Sequence, residues 1–320
     1  MADRIPFRVR PMLATLVSEA FHRPGWVYEE KYDGYRILAY KEGAKVTLLS
    51  RNDIDRTPSY PDIAAAIGKY PARTLLLDGE AVAFDAKGIS RFQLLQQGKP
   101  AAYAVFDLLY ENGKDLRKQP LSTRRSRLQA VIPKSSKILL ARRLAANGLE
   151  AYRLAKEKGF EGLVAKDLSS PYLEGRSNRW LKVKVKQEDE FIIVGYTAPS
   201  GAREHFGAIL LGAYKGKDLV YVGKVGTGFS RSTLATLFRK FRPLVHKTPP
   251  VVNPPREKEV SYLEPKLVAQ IAYEEWTADG KLRQPVFLGL RDDKEANEVV
   301  LPGNFRYSAE TPEASSTVFS

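Results

Sequence analysis

Apolar residues in the first half of the chain fall into short runs bounded by turn formers. Residues 74–85 (TLLLDGEAVAFD) and 103–109 (YAVFDLL) are such runs and predict strands. Helices are predicted over 62–69, over 123–131 with Ser122 as N-cap, and over 149–158. Residues 181–186 (LKVKVK) alternate strictly, so a period of two puts Lys182, Lys184 and Lys186 on one face and Leu181, Val183 and Val185 on the other. The polar run 187–190 (QEDE) separates this strand from a new apolar one at 191–194, and the pattern then turns strand-rich. Residues 206–214 and 219–225 flank Lys-Gly-Lys-Asp, a hairpin turn signal. Leu234, Leu237, Phe238 and Phe241 recur at i, i+3, i+4 and i+7, predicting a helix capped by Ser230 or Ser232. The proline-rich stretch 243–255 reads as a loop, and strands resume at 267–273 and 285–290. The whole predicts a mixed α+β domain over 1–187, a small five-stranded barrel over 188–307, and a polar, disordered tail over 308–320.

Length and composition narrow the classes. With 320 residues, 43% of them hydrophobic, the chain can bury two cores, which excludes disorder throughout. The absence of cysteine excludes disulfides, thiolate zinc sites and a cysteine nucleophile. Arginines interrupt the N-terminal apolar positions, and no window approaches the roughly 20 apolar residues of a membrane span. A soluble, cytoplasmic, monomeric protein without a membrane partner is expected.

The net charge of +14 is local: residues 1–90 carry +1, 91–186 carry +13, and 187–320 sum to zero, with +7 over 211–250 offset elsewhere in that part. Two basic blocks point to a phosphate-bearing partner. Arg124–Arg127, Arg142 and Arg143 are left for a phosphate backbone or solvent, and the loop 174–179 (EGRSNR) adds two arginines of the same kind. His22, His205 and His246 are scattered without metal-ligand spacing.

The most informative segment is Lys31-Tyr32-Asp33-Gly34-Tyr35-Arg36. It resembles the Lys-x-Asp-Gly-x-Arg nucleotidyl-acceptor motif of the covalent nucleotidyltransferases, which comprise ATP-dependent DNA ligases, RNA ligases and capping guanylyltransferases. The likeness continues in order through Ser50-Arg51-Asn52, Asp78-Gly79-Glu80, Phe106-Asp107, Glu161-Gly162-Leu163-Val164-Ala165-Lys166 and Trp180-Leu181-Lys182-Val183-Lys184. It closes with Arg291-Asp292-Asp293-Lys294. The wording around these motifs (PMLAT, VGKVGTGFS, FLGLRDDK) is similar to the ligase module of bacterial non-homologous end-joining DNA ligases. The resemblance implies an adenylation domain with antiparallel sheets followed by an OB-fold barrel, ATP and Mg²⁺ (or Mn²⁺) as cofactors, and nicked or broken duplex DNA as partner, with the Ku end-binding protein as a candidate recruiter.

Residue roles follow the same resemblance. Lys31 is the nucleophile, and an amine that attacks phosphorus must first lose a proton. Lys182, Lys184 and a bound cation would favour that loss and neutralise charge growing on phosphate. Glu161 is the first metal ligand, directly or through water; for Glu80 the resemblance favours a ribose-binding carboxylate over direct metal ligation, and Asp78 shares its pleat face. Glu29 reads the adenine, Phe106 stacks on it unless it is simply core, and Arg36 and Arg51 reach ribose and phosphates. Arg291 and Lys294 orient the pyrophosphate leaving group in the first step, with the short QEDE linker as hinge. Lys166, five residues from Glu161, would face the opposite side of a regular strand and is left out of the catalytic set. An RNA ligase, a capping guanylyltransferase and a non-catalytic nucleic-acid-binding homologue share the lysine motif and stay open.

Overall fold

Short apolar runs become strands in a computed structural model that describes residues 5–132, 135–185, 187–199, 204–257, 259–301 and 305. The chain divides into two compact units, 1–186 and 187–320. In the first, the elements run β1 (Met12–Leu16), β2 (Trp26–Lys31), β3 (Tyr35–Glu42), β4 (Lys45–Ser50), α1 (Pro61–Gly68), β5 (Thr74–Val82) and α2 (Phe92–Gln96). They continue with β6 (Ala102–Glu111), β7 (Lys114–Asp115), α3 (Leu121–Val131), β8 (Ile138–Leu140), β9 (Arg143–Ala145), α4 (Gly148–Lys158), β10 (Gly162–Asp167) and β11 (Gly175–Lys184).

Two sheets result, ordered β1-β11-β10-β2-β9 and β4-β3-β5-β6-β7, with β8 also on β6. Both are antiparallel apart from the β1–β11 and β6–β8 pairs, which are parallel. Their inner faces share one core, where Met12, Leu38, Leu76, Phe106, Tyr172 and Trp180 meet. Helix α4 covers the outer face of the first sheet through Tyr28, Ala151, Leu163, Leu181 and Val183. Residues of α1 and α3 cover the outer face of the second.

Helix α3 starts at Leu121, so Ser122 lies inside its first turn and is not the cap. Its amide and that of Leu121 are already satisfied by the carbonyls of Leu168 and Ser170, which leaves no need for a side-chain cap there. The basic segment 174–179 is largely strand, because β11 begins at Gly175. Its arginines are engaged: Arg179 pairs with Asp167 at 2.7 Å, and Arg176 donates to the Ala14 carbonyl.

The second unit holds β12 (Glu188–Thr197), β13 (Ile209–Lys215), β14 (Asp218–Val225), α5 (Arg231–Phe241), β15 (Val245–His246), β16 (Val260–Ala272) and β17 (Val286–Leu290). The sheet order is β14-β13-β12-β16-β15, with β17 also paired to β16 along Ala269–Ala272. Amides of Leu282 and Phe287 donate back to the carbonyls of Val222 and Thr227, so the sheet curls around a core that includes Phe206, Leu237 and Phe241. Three strands, a helix and two long strands are the OB-fold order. Ser230 caps α5 by accepting from the Thr233 amide.

Several boundaries differ from the sequence pattern. Residues 188–190 of the acidic run belong to β12, paired with 270–272. Polar side chains there read as a linker, yet the backbone finds a full ladder. Likewise β15, inside the proline-rich stretch, pairs with Leu263 and Tyr262 of a β16 that begins seven residues earlier than its apolar run. Lys186 and the tail 308–320 lie outside the described residues. Among the described residues no helix is long and apolar enough to cross a membrane.

Candidate active site

Strand register places the candidate residues of the first sheet in rows on its inner face. Lys184, Gly162 and Lys31 form one row across β11, β10 and β2; Lys182, Val164 and Glu29 form the next; Trp180, Lys166 and Val27 form the third. Neighbouring strands lie about 5 Å apart, so Lys31 and Lys184 flank a glycine across about 10 Å of backbone. Gly162 is required at that point, since a Cβ on it would come within 2.1 Å of the Val183 carbonyl oxygen.

The nucleophile candidate ends β2. Its ammonium touches the Glu161 carboxylate, and the other carboxylate oxygen, Oε2, is buried without a hydrogen bond. Beyond Lys31, Asp33 fastens the turn: its amide donates to the Ser90 hydroxyl, and its carboxylate accepts from the Phe92 amide at the start of α2. Gly34 lets the turn lean on β5, where a Cβ would sit 2.1 Å from the Ala81 carbonyl and 3.0 Å from Cγ of Glu80. The motif's aspartate and glycine therefore position the lysine, a role its sequence resemblance did not specify.

Arg36, Asp78, Glu80 and Phe106 come from the inner side of the second sheet. Arg36 and Glu80 are opposite each other in the β3–β5 register. The Arg36 guanidinium is held in a bidentate pair by Asp78 (2.5 and 2.7 Å), which also accepts from the Tyr172 hydroxyl at 2.6 Å. Asp78 is thereby used as an anchor and does not join a metal set. Arg51 follows β4 in a tight turn, one residue past the Ile37–Ser50 pair and so at the same end of the sheet as Arg36.

Lys166 corrects the expectation from spacing. Glu161 precedes β10 and lies outside its ladder, so strand parity does not run from one to the other. The Lys166 ammonium points to the inner face, 4.2 Å from the ring centres of both Phe106 and Trp180, and pairs with Glu29 at 2.6 Å. Burial holds its pKa well below the ordinary lysine value against the opposing pull of Asp107. Glu29 is itself buried and also contacts Arg125. Phe106 is 8% exposed, edge-on to Trp180, with Arg36 4.5 Å from its ring centre. It is core and site wall at once. The charged face of β10 was readable only with the partner strands in hand.

Three arginines set aside for DNA are spoken for. Arg124 is fully buried and bidentate on fully buried Asp107 (2.8 and 2.9 Å), Arg125 contacts Glu29, and Arg127 holds Glu111. In the second unit Arg291 is bidentate on Asp293, both bonds 2.8 Å, and donates to Gln270 at 3.2 Å, while Lys294 lies 3.6 Å from Glu190.

The first unit thus presents amines, guanidinium groups and two carboxylates, Glu161 and Glu80, on facing sheets. Among the described residues no three metal-ligating side chains cluster. Mg²⁺ takes one or two carboxylates and keeps water and phosphate oxygens, and the orphaned Oε2 of Glu161 is a hard donor of the right kind.

Comparison with known proteins bears on the family of the chain. A family model described as "ATP dependent DNA ligase domain" matches residues 11–184, and one described as "ATP dependent DNA ligase C terminal region" matches 202–294. The multifunctional non-homologous end joining protein LigD of Pseudomonas aeruginosa is 38% identical over 309 residues, covering 92% of this chain and 37% of that protein. A DNA ligase of Thermococcus fumicolans is 34% identical, covering 91% of this chain and 57% of that one. The chain therefore spans less than two thirds of either relative. Among solved structures, a mycobacterial DNA ligase D complexed with ATP and MES aligns with a TM-score of 0.69 at 33% identity, covering 92% of this chain and 99% of that one.

Proposed function

The chain belongs to the family of ATP-dependent DNA ligases, and on that premise we propose that it seals 5′-phosphate/3′-hydroxyl nicks in duplex DNA through an adenylate on Lys31. The observation that carries the proposal is the single sheet face shared by Lys31, Lys182 and Lys184, with Glu161 on the nucleophile. In the first step Nζ of Lys31 forms a bond to the α-phosphorus of ATP, and the bond to pyrophosphate breaks. AMP then passes to the 5′-phosphate at the nick, and the adjacent 3′-hydroxyl displaces it. Each step builds charge on phosphate, so positioned cations matter more than a strong base.

Glu161 serves Lys31 in the structure as it stands, and the amine must leave that contact before it can attack. A bound Mg²⁺ or Mn²⁺ would supply positive charge to the phosphates, with Glu161, and Glu80 beside it in role, as its protein ligands. In this reading Lys182 and Lys184 meet phosphate oxygens, Arg36 and Arg51 serve ribose and phosphates, and Glu29 and Phe106 serve the base. Arg291 and Lys294 belong to the first step in this reading.

Two relatives named for non-homologous end joining support a role in joining broken DNA; action in the cytoplasm and recruitment by a Ku-type end-binding protein are part of the same proposal. The test is a sealing assay with ATP or GTP on nicked DNA and nicked RNA. Sealing of the DNA nick with ATP, lost in Lys31→Ala, is the expected result. Preference for GTP, or for the RNA nick, would move the protein to a capping enzyme or an RNA ligase.

A further inference from the structure

Concave sites lie outside the machinery described so far, and one of them is ringed by cations. A cavity of about 270 Å³ opens beside β9, the edge strand of the first sheet, next to β2. Its floor is apolar, with Ile89 and Phe160 both buried. Its rim carries Lys87, Arg142, Arg143 and Lys158, all exposed, and among the described residues no acidic side chain lines it. The nearby acids already have partners: Asp85 holds Arg91, Glu157 holds Arg153, and buried Glu30 faces Arg142 at 3.2 Å. Among the described residues Lys87, Arg143 and Lys158 make no ion pair.

Position ties this cavity to the chemistry. Arg143 pairs in the ladder with Glu29, two residues from the nucleophile. The Arg142 amide donates to the Tyr32 hydroxyl, and its carbonyl accepts from the Glu30 amide, so Arg142 grips both neighbours of Lys31. An edge strand one place from β2 is about 5 Å from it, less than the reach of one nucleotide. A DNA strand whose 5′-phosphate lies at Lys31 can therefore cross this edge with its next phosphates.

We infer that the cavity is a seat for one backbone phosphate and its deoxyribose on the duplex flanking the nick, with the cations of the rim on the phosphate and the Ile89–Phe160 floor under the sugar. The inference rests on the DNA-joining reading. Unpaired cations over an apolar floor match a sugar-phosphate unit, which is charged on one side and apolar on the other.

The test uses the full chain with Lys87, Arg143 and Lys158 all changed to Ala, and separately Arg143→Glu, each checked for an unchanged melting temperature. Binding to nicked duplex is measured across a salt series, and Lys31 adenylation is measured without DNA. The seat predicts a loss of affinity of about tenfold near 0.1 M salt, and a log–log salt slope shallower by about 1, the release expected for one phosphate. Adenylation should stay at the parent level.

Parent-like affinity and slope in both variants would overturn the inference, as would an equal fall in adenylation. Loss of inorganic phosphate binding with parent-like DNA binding would make the cavity a small-anion site and overturn it too. A parent protein that takes AMP onto Lys31 yet neither binds nor seals nicked DNA would instead refute the function itself.

Discussion

Glu30 and Lys31 are sequence neighbours that the pleat sends to opposite faces of β2. Lys31 faces the second sheet, while the Glu30 side chain is fully buried on the helix side and its carboxylate makes no hydrogen bond. Burial pushes its pKa from 4.5 up to about 7, with Arg142 pulling the other way. The folded state thus binds a proton more tightly than the unfolded one. The burial of Glu30 costs little below pH 4.5, its cost grows as pH rises through 7, and above that it is fully expressed. Glu30→Gln should therefore stabilise the protein by about 1–3 kcal/mol at pH 8 and by almost nothing near pH 4.5, read from urea unfolding at both. A gap that does not change with pH would contradict this origin. Lys166 teaches the same lesson about faces. Counting by twos from Glu161 turned it away from the site, because the sequence does not mark the bend that ends the alternation before Gly162. Lys182 and Lys184 were placed correctly because they lie inside one unbroken ladder.

At the scale of elements, tight strand contact and one buried ion pair hold the site in shape. Gly162→Ala would drive a methyl into the Val183 carbonyl and part β10 from β11, in the row that sets Lys184 beside Lys31. A loss of about 1–3 kcal/mol in stability and at least tenfold in adenylation rate is expected, measured by thermal unfolding and single-turnover labelling. Arg124 fastens α3 to β6 through Asp107, next to Phe106, with both side chains at zero exposure. Replacing Arg124 by Leu should cost about 3–5 kcal/mol, while the double replacement with Asp107→Leu should recover much of it, since the penalty is an orphaned buried charge. Additive losses would argue against that. Helix α5 and the strands β5, β6 and β14 were legible because their apolar periods coincide with their ladders. The acidic start of β12 and the basic start of β11 were not, because polar side chains there ride on a backbone that pairs regardless. The burial of Arg124 was hidden in a run of arginines that reads as a solvated face.

Across the whole molecule, the surplus of +14 divides into three uses. Some cations are internal, as with Arg124, Arg125 and Lys166; some line the candidate site, as with Lys31, Lys182 and Lys184; some, such as Lys87, Arg143 and Lys158, stay on the surface. Binding to nicked duplex should accordingly weaken steeply between 50 and 200 mM salt, in the manner of several phosphate contacts, while adenylation from ATP changes far less. Equal salt sensitivity in both assays would show that the surface charge is not a DNA footprint. Of the two motif residues in the second unit, Lys294 is the cleaner probe, because removing Arg291 would orphan buried Asp293. Lys294→Ala should slow adenylation from ATP by tenfold or more and spare sealing of a pre-adenylated nick; equal loss in both would deny it a special place in the first step. Every later step of the reaction depends on where AMP is attached. The protein should be incubated with ATP and Mg²⁺, digested and analysed by mass spectrometry: one AMP, acid-labile, is expected on the peptide that contains Lys31, and none in Lys31→Ala. AMP on another residue, or no covalent AMP on a folded, ATP-binding protein, would contradict it.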